Sequence, residues 1–206
     1  MSSRSRNRRN GRRRLRPPTP VRPLSLAAAS GEEVAIPDPD LMTHLQLRRF
    51  AGCPICNLHL RSIVERHEEI VGAGIREVVV FHSTVAELER YAPEVPFALV
   101  ADPGRRLYHE FGVEASPRAL LRPGAWGALA GGPLRTVGSL RRGGPGAPLR
   151  PSGGRLGLPA DFLIGPDGRL VAVKYGEHAY DQWSVDELLA AALGVSGGGR
   201  GRSGRR

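Results

Sequence analysis

Cys53-Pro54-Ile55-Cys56 places the only two cysteines of a 206-residue chain three positions apart. Two thiols at that spacing can pass between dithiol and disulfide. The thiolate is the nucleophile, so reactivity depends on what stabilises the anion. A helix N-terminus does so through its free N–H groups and its dipole. The sequence predicts one here. Residues 43–51 alternate apolar and polar at Leu45 and Leu47 and, with a slip, at Phe50, which reads as a strand, and Gly52 ends it. Pro54 suits a first helical turn, where its missing N–H is no loss. Ile55, Leu58, Ile63, Ile70 and Val71, widened by Leu60 and Val64, give residues 54–71 one apolar helical face, and Gly72 and Gly74 stop it. Cys53 then sits at the helix start, with Cys56 one turn along the same face. The second thiol is close enough to attack a mixed disulfide or a sulfenic acid formed on the first. A C-x-x-C beside a βαβ pattern is a redox signal.

Other uses of the pair fit less well. Structural zinc usually takes four ligands, commonly two such pairs. Here there is one pair, continued by His59, and nothing in the spacing adds His44 or His82, so no metal is assigned. Covalent haem attachment needs His directly after the second cysteine, where Asn57 stands. Two inert buried thiols are the remaining structural alternative. His59 itself reads as an ordinary helix-surface residue. No Ser/His/Asp constellation, phosphate-binding loop or carboxylate pair stands out, and no organic cofactor is implied.

The surrounding elements must hold the pair. Residues 76–82 are a run of strand formers, as in a buried central strand. His82, Ser83 and Thr84 leave its C-terminal end, where ligand sites of open α/β sheets lie. These three could line the same pocket as Cys53 and Pro54, although Ser83 or Thr84 also reads as the cap of a short helix to Tyr91, helped by Glu87. A third strand over 96–101, the turn Asp102-Pro103-Gly104 and a short helix over 105–111 follow. Asp161 to Ile164, the turn Gly165 to Gly168, and Leu170 to Tyr175 read as a β-hairpin. Ser184 and Glu187 form a capping box for a last helix through Leu193, ended by Gly194. The order β-α-β-α-β-α, loop, β-β-α predicts an α/β fold with a central mixed sheet flanked by helices.

The formal charge of +10 is concentrated at the ends. Residues 1–31 hold nine Arg and no acid, residues 195–206 four Arg and no acid, and residues 115–160 seven more with no acid. What remains is acidic. The expectation is a disordered Arg/Pro-rich segment over 1–40, one domain over 41–194 with a long Gly/Pro/Arg-rich loop at 115–157, and a disordered basic tail over 195–206. Such tails bind polyanions weakly and without sequence preference, so no specific nucleic-acid partner is expected. No window is apolar enough to span a bilayer. Prolines at 17, 18, 20 and 23 interrupt the short apolar patch at 24–29, which argues against a Sec or twin-arginine signal. Whether residues 1–40 are a targeting segment, a functional tail or the product of an upstream start stays open. One close cysteine pair in an otherwise Cys-free chain fits a reducing compartment, and a cytoplasmic location is expected. The oligomeric state is not readable.

Phe50 to Leu60 around the cysteine pair, Val79-Val80-Phe81-His82-Ser83, Leu99-Val100-Ala101-Asp102-Pro103, Leu158 to Ile164 and Asp167-Gly168 together resemble the peroxiredoxin-like branch of the alkyl hydroperoxide reductase/thiol-specific antioxidant (AhpC/TSA) family, over roughly residues 43–193. The resemblance implies a thioredoxin-like fold and an antioxidant or thiol–disulfide oxidoreductase activity. It implies a peroxide or disulfide substrate and a dithiol reductant such as a thioredoxin-type protein. It also implies a cis-proline at Pro159, beside the cysteines; by itself, Leu158-Pro159 reads equally as a proline that starts an edge strand. Typical relatives carry Thr-x-x-Cys with a distant Arg. Cys53 stands in the Thr place, which by alignment makes Cys56 the peroxide-attacking thiol. Helix-terminus position and expected exposure favour Cys53 instead. Arg48 and Arg49 are near in sequence, but neither is assigned as the activating Arg.

Overall fold

The computed structural model describes residues 14–113, 148, 150–152, 154 and 157–198. Three parallel strands carry the first half: β3 (Met42–Arg48), β4 (Ile75–Phe81) and β5 (Ala98–Ala101). They are joined by α1 (Pro54–Glu65) and α2 (His67–Gly72), then by α3 (Val85–Tyr91). After α4 (Arg106–Glu110), the antiparallel pair β6 (Ala160–Ile164) and β7 (Leu170–Tyr175) adds to the other side of β3, and α5 (Val185–Gly198) follows. The sheet order β5-β4-β3-β6-β7 is therefore mixed, as the sequence predicts. Among the described residues no helix is long and apolar enough to cross a membrane.

The N-terminal segment departs from expectation. Residues 24–36 are not disordered: β1 (Leu24–Ala27) and β2 (Glu33–Ile36) form an antiparallel hairpin. Its period-two pattern buries Leu24, Val34 and Ile36 against Leu45, Leu47, Val78, Val80 and Phe162. The Ala29 N–H donates to Leu99 O at 2.7 Å, which ties the hairpin to β5. Arg22, one of the supposed tail charges, pairs with Glu110 at 2.8 Å. Residues 1–13, most of the 115–157 loop and residues 199–206 lie outside the described residues.

Two helix expectations also change. The single helix over 54–71 breaks at Arg66 (φ −119°), whose guanidinium bridges Glu69 and Asp186. The redirected second segment buries Ile70 and leaves Val71 exposed, as is Val64 in the last turn of α1. Gly194 does not end α5: it faces open space, and a glycine there weakens a helix without stopping it.

β3 alternates as predicted, but both of its faces are buried. Leu45 and Leu47 face the hairpin side, while His44, Gln46 and Arg48 face α1 and α5. Polar groups there must be paired. Both Glu77 carboxylate oxygens lie within 3.0 Å of His44 Nδ1, and Asp161 Oδ1 lies 3.1 Å from Nε2. Arg48 Nη2 donates to Asp161 Oδ1 at 2.6 Å and also to Gln46 Oε1; Gln46 Nε2 donates to Glu77. Asp161 Oδ2 accepts the Trp183 N–H at 3.3 Å, at the start of the last helix. Burial opposes charge on His44, but Glu77 and Asp161 outweigh it and lift its pKa from 6.5 to about 9. Burial likewise opposes the Asp161 anion, yet Arg48 and His44 hold that carboxyl below the usual range.

Two outcomes follow. Ile36→Ala should cost about 2–5 kcal/mol in urea denaturation, because the hairpin is core; an unchanged midpoint would place the hairpin outside the cooperative fold. His44 binds its proton more tightly folded than unfolded, so its contribution is present below pH 6.5 and lost as pH rises through about 9. The stability gap between wild type and His44→Gln should therefore shrink over that window. A gap independent of pH would mean that His44 is buried neutral.

Candidate active site: the cysteine pair at the start of α1

A tight turn carries the chain from β3 into α1. The Cys53 N–H donates to Phe50 O at 3.1 Å, and Gly52 has φ +77°. A side chain at Gly52 would also meet Tyr91 Cβ and Pro148 Cδ, each at 3.0 Å, so glycine is needed for both the turn and the close approach. Ser83, at the end of β4, fixes the turn from the other side: its Oγ accepts the Ala51 N–H at 3.0 Å.

Cys53 is the N-cap of α1, with extended backbone (φ −63°, ψ 117°), and Pro54 follows in the first turn with its ring exposed. The thiol of Cys56 and the N–H groups of Ile55 and Cys56 face Cys53 Sγ. Arg49 Nη1 donates to the same sulfur at 3.7 Å. The Cys56 hydrogen bond lowers the Cys53 pKa most. Burial works against it, and the Arg49 charge and the backbone N–H groups add to the lowering. Cys56 is pushed the other way, because its proton is held on Cys53 and its site is buried. The two sulfurs thus differ in their surroundings: Cys56, Arg49 and the backbone N–H groups draw Cys53 toward the thiolate, and Cys53 and burial push Cys56 up. Exposure does not distinguish the two, since Cys53 is 1% and Cys56 0% exposed. Of the two grounds for preferring Cys53, only the helix terminus stands.

The other expected site residues divide. His82 is fully buried between Phe50 and Tyr108, and its backbone N–H donates to Arg49 O at 3.1 Å. Ser83 and Thr84 serve local structure: Ser83 as above, and Thr84 as one half of a capping box with Glu87. Pro159 is buried against Gly176, whose N–H donates to Pro159 O at 2.9 Å. The cis peptide bonds among the described residues precede Pro18 and Pro37, so Pro159 is not the cis-proline that the resemblance implies. It starts β6 directly, and the Gly176 contact fixes its place.

Two residues were not legible as part of the site. Nothing in Arg48-Arg49 separates the arginine that enters the core network from the one that meets the thiolate; the end of β3 decides it. His59 is not on the helix surface but 6% exposed, with Nε2 3.3 Å from Arg48 Nη2. Burial, then the Arg48 charge, lowers its pKa to about 3, so it is neutral. Its position three after Cys56 was the available signal, since that spacing shares a face. Among the described residues no cluster of three metal-ligating side chains occurs.

Comparison with known proteins agrees with this architecture. Residues 60–178 match the family model described as AhpC/TSA antioxidant enzyme, a match that begins just after the cysteine pair. No curated protein matches the chain. Among solved structures, a mutant of peroxiredoxin 6 from Arenicola marina superposes with a TM-score of 0.61 at 15% identity, covering 86% of this chain and 72% of that one. Peroxidoxin BcpB from Mycobacterium tuberculosis gives 0.57 at 16% identity, covering 86% of this chain and 96% of that one. At such identities the likeness is one of fold. The family match covers more than half of the chain, and the chain is accordingly a thiol-dependent oxidoreductase of the AhpC/TSA antioxidant enzyme family.

Proposed function

We propose that the chain reduces peroxides through a Cys53–Cys56 dithiol cycle, with Cys53 as the attacking thiol and Cys56 as the resolving one. The observation that carries this reading is the setting of Cys53 Sγ: it belongs to the N-cap of α1, with Arg49 Nη1 3.7 Å away and Cys56 one turn along the helix. A thiolate at the helix start beside Arg49 is the form that attacks. A protonated neighbour one turn away is in place to resolve the product. Attack on a peroxide leaves a Cys53 sulfenic acid. Cys56 then attacks that sulfur, giving the Cys53–Cys56 disulfide and releasing the oxygen as water.

An external dithiol of the thioredoxin type would return the disulfide to the dithiol, and a reducing compartment such as the cytoplasm suits that step. The reading needs no metal or organic cofactor. Burial of both thiols favours a small substrate over a protein disulfide, which would have to reach a sulfur that is 1% exposed. A redox-inactive binding role leaves the pairing of Arg49 with Cys53 without a purpose.

The alkylation rate of the reduced protein should rise with pH around a midpoint below the ordinary cysteine value of about 8.5. Arg49→Met should move that midpoint upward, because removing a positive charge destabilises the thiolate; an unmoved midpoint would take Arg49 out of the site. One equivalent of hydrogen peroxide should remove two hydrogens from the intact mass as a Cys53–Cys56 disulfide. Under the same treatment Cys56→Ser should carry a trappable sulfenic acid on Cys53, and Cys53→Ser should stay reduced. Sulfenic acid appearing on Cys56 in Cys53→Ser would reverse the assignment.

A further inference from the structure

We propose that His82 is a catalytic residue of this site: it accepts the hydroperoxide proton and passes it to the departing alkoxide. The proposal rests on the Cys53 peroxidase reading above. His82 leaves the C-terminal end of β4 and is 0% exposed, yet neither ring nitrogen has a hydrogen-bond partner among the described residues. A buried imidazole with both nitrogens unspent is rare in folded proteins and asks for a ligand or a role.

The neighbouring polar groups are already committed. Tyr108 Oη, on the ring packed edge-on at 5.6 Å from His82, donates to the carbonyls of Arg48 and Val80. Ser83 holds the Ala51 N–H, and Thr84 caps α3. Of these side chains, His82 is the one whose polar atoms have no hydrogen-bond partner among the described residues.

The chain is shaped around this imidazole. A Cβ at Gly157 would lie 2.6 Å from His82 Nε2 and 3.8 Å from Arg49 Cγ. Only glycine lets the backbone close there without pushing the ring aside. The same point lies against the Arg49 side chain, whose Nη1 reaches Cys53 Sγ at 3.7 Å, so the imidazole neighbours the side chain that touches the thiol. Burial lowers the His82 pKa to about 4; the charges of Arg105 and Arg49 also lower it, and a contact with its own backbone and the Glu87 charge oppose them. The ring is therefore neutral and has a lone pair to accept with.

Cys53 thiolate attacks the terminal oxygen of R–O–O–H. The S–O bond forms as the O–O bond breaks, and the electron pair leaves on the alkoxide. The hydroxyl proton of the attacked oxygen passes through a His82 ring nitrogen to the alkoxide, giving ROH and a Cys53 sulfenate. Sulfur is oxidised by two electrons and the peroxide is reduced by two. The sulfenate takes a proton from solvent to become the sulfenic acid, and the Cys56 thiol attacks its sulfur, forming the disulfide and releasing water.

The test compares two rates in the reduced full-length protein: Cys53 oxidation by tert-butyl hydroperoxide and Cys53 alkylation by iodoacetamide. Alkylation reads the thiolate and its accessibility but uses no peroxide proton. His82→Phe and His82→Gln should slow oxidation by about 100-fold or more while alkylation stays within about threefold, in line with the size of acid–base contributions. Oxidation that stays within the same narrow range overturns the proposal, and so does an equal fall in both rates, which would make His82 structural. Should the variants not fold, wild type decides: on the pH plateau of the thiolate, oxidation should be slower in heavy water and alkylation not. Equal oxidation rates in the two solvents overturn the proposal. A wild-type Cys53 that peroxide does not oxidise removes the peroxidase reading as well, whereas the other adverse results remove His82 alone.

Discussion

Two positive and two negative side chains are buried on one face of the central sheet, and the rest of the molecule is arranged around keeping them paired. His44 and Arg48 come from β3, Glu77 from β4 and Asp161 from β6. Removing one partner from such a set leaves an uncompensated charge in the interior, at about 3–5 kcal/mol. The network therefore fixes register in three strands at once, since a slip by one residue would turn every member to the wrong face. It also reaches the helices, through His59 on α1 and the Trp183 N–H at the start of α5. The helix that carries the cysteines is thus anchored one turn below them on a charge-balanced floor.

Where β3 ends, the same sequence run changes role. Arg48 points into the network and Arg49, the next residue, meets Cys53. One arginine pairs with a buried carboxylate and its neighbour donates to a thiol sulfur. The two tasks need opposite sides of the chain, which the strand supplies only up to its last residue. The turn at Phe50–Cys53 then brings the sulfur back over the Arg49 guanidinium. Gly52 makes the turn possible and Ser83 holds it to the end of β4. Electrostatic activation here is therefore a property of strand termination and turn geometry as much as of helix position.

The residues described after the 114–147 stretch close over this corner. Pro148 lies against Gly52 and Tyr91, Ser152 donates through both its N–H and its hydroxyl to Glu87, and Gly157 lies against His82. Glu87 also caps α3 through Thr84, so one carboxylate joins a helix start to the covering segment. The consequence is a dithiol shielded from bulk water. Within such a site the Arg49 charge and the helix N–H groups act on the thiolate with little screening.

The sequence by itself determined the dithiol, its place at a strand–helix junction, the order of the strands and helices from residue 42 onward, and the family resemblance. All of these are local: alternation, helical periodicity, caps and turn residues act over a few positions. It also carried the period-two pattern of residues 33–36, which the high arginine content of the flanking segment obscured. Only the tertiary structure decided which arginine meets the thiolate, that Cys53 is buried, that His59 and the polar face of β3 lie inside, and that Pro159 packs on Gly176 in a peptide that is not cis. The physical reason is that a strand's alternation shows two faces but not what covers each. α1, α5 and the β1–β2 hairpin together bury both, and a residue such as His44 can be read as core only once Glu77 and Asp161, 33 and 117 positions away, are brought to its ring.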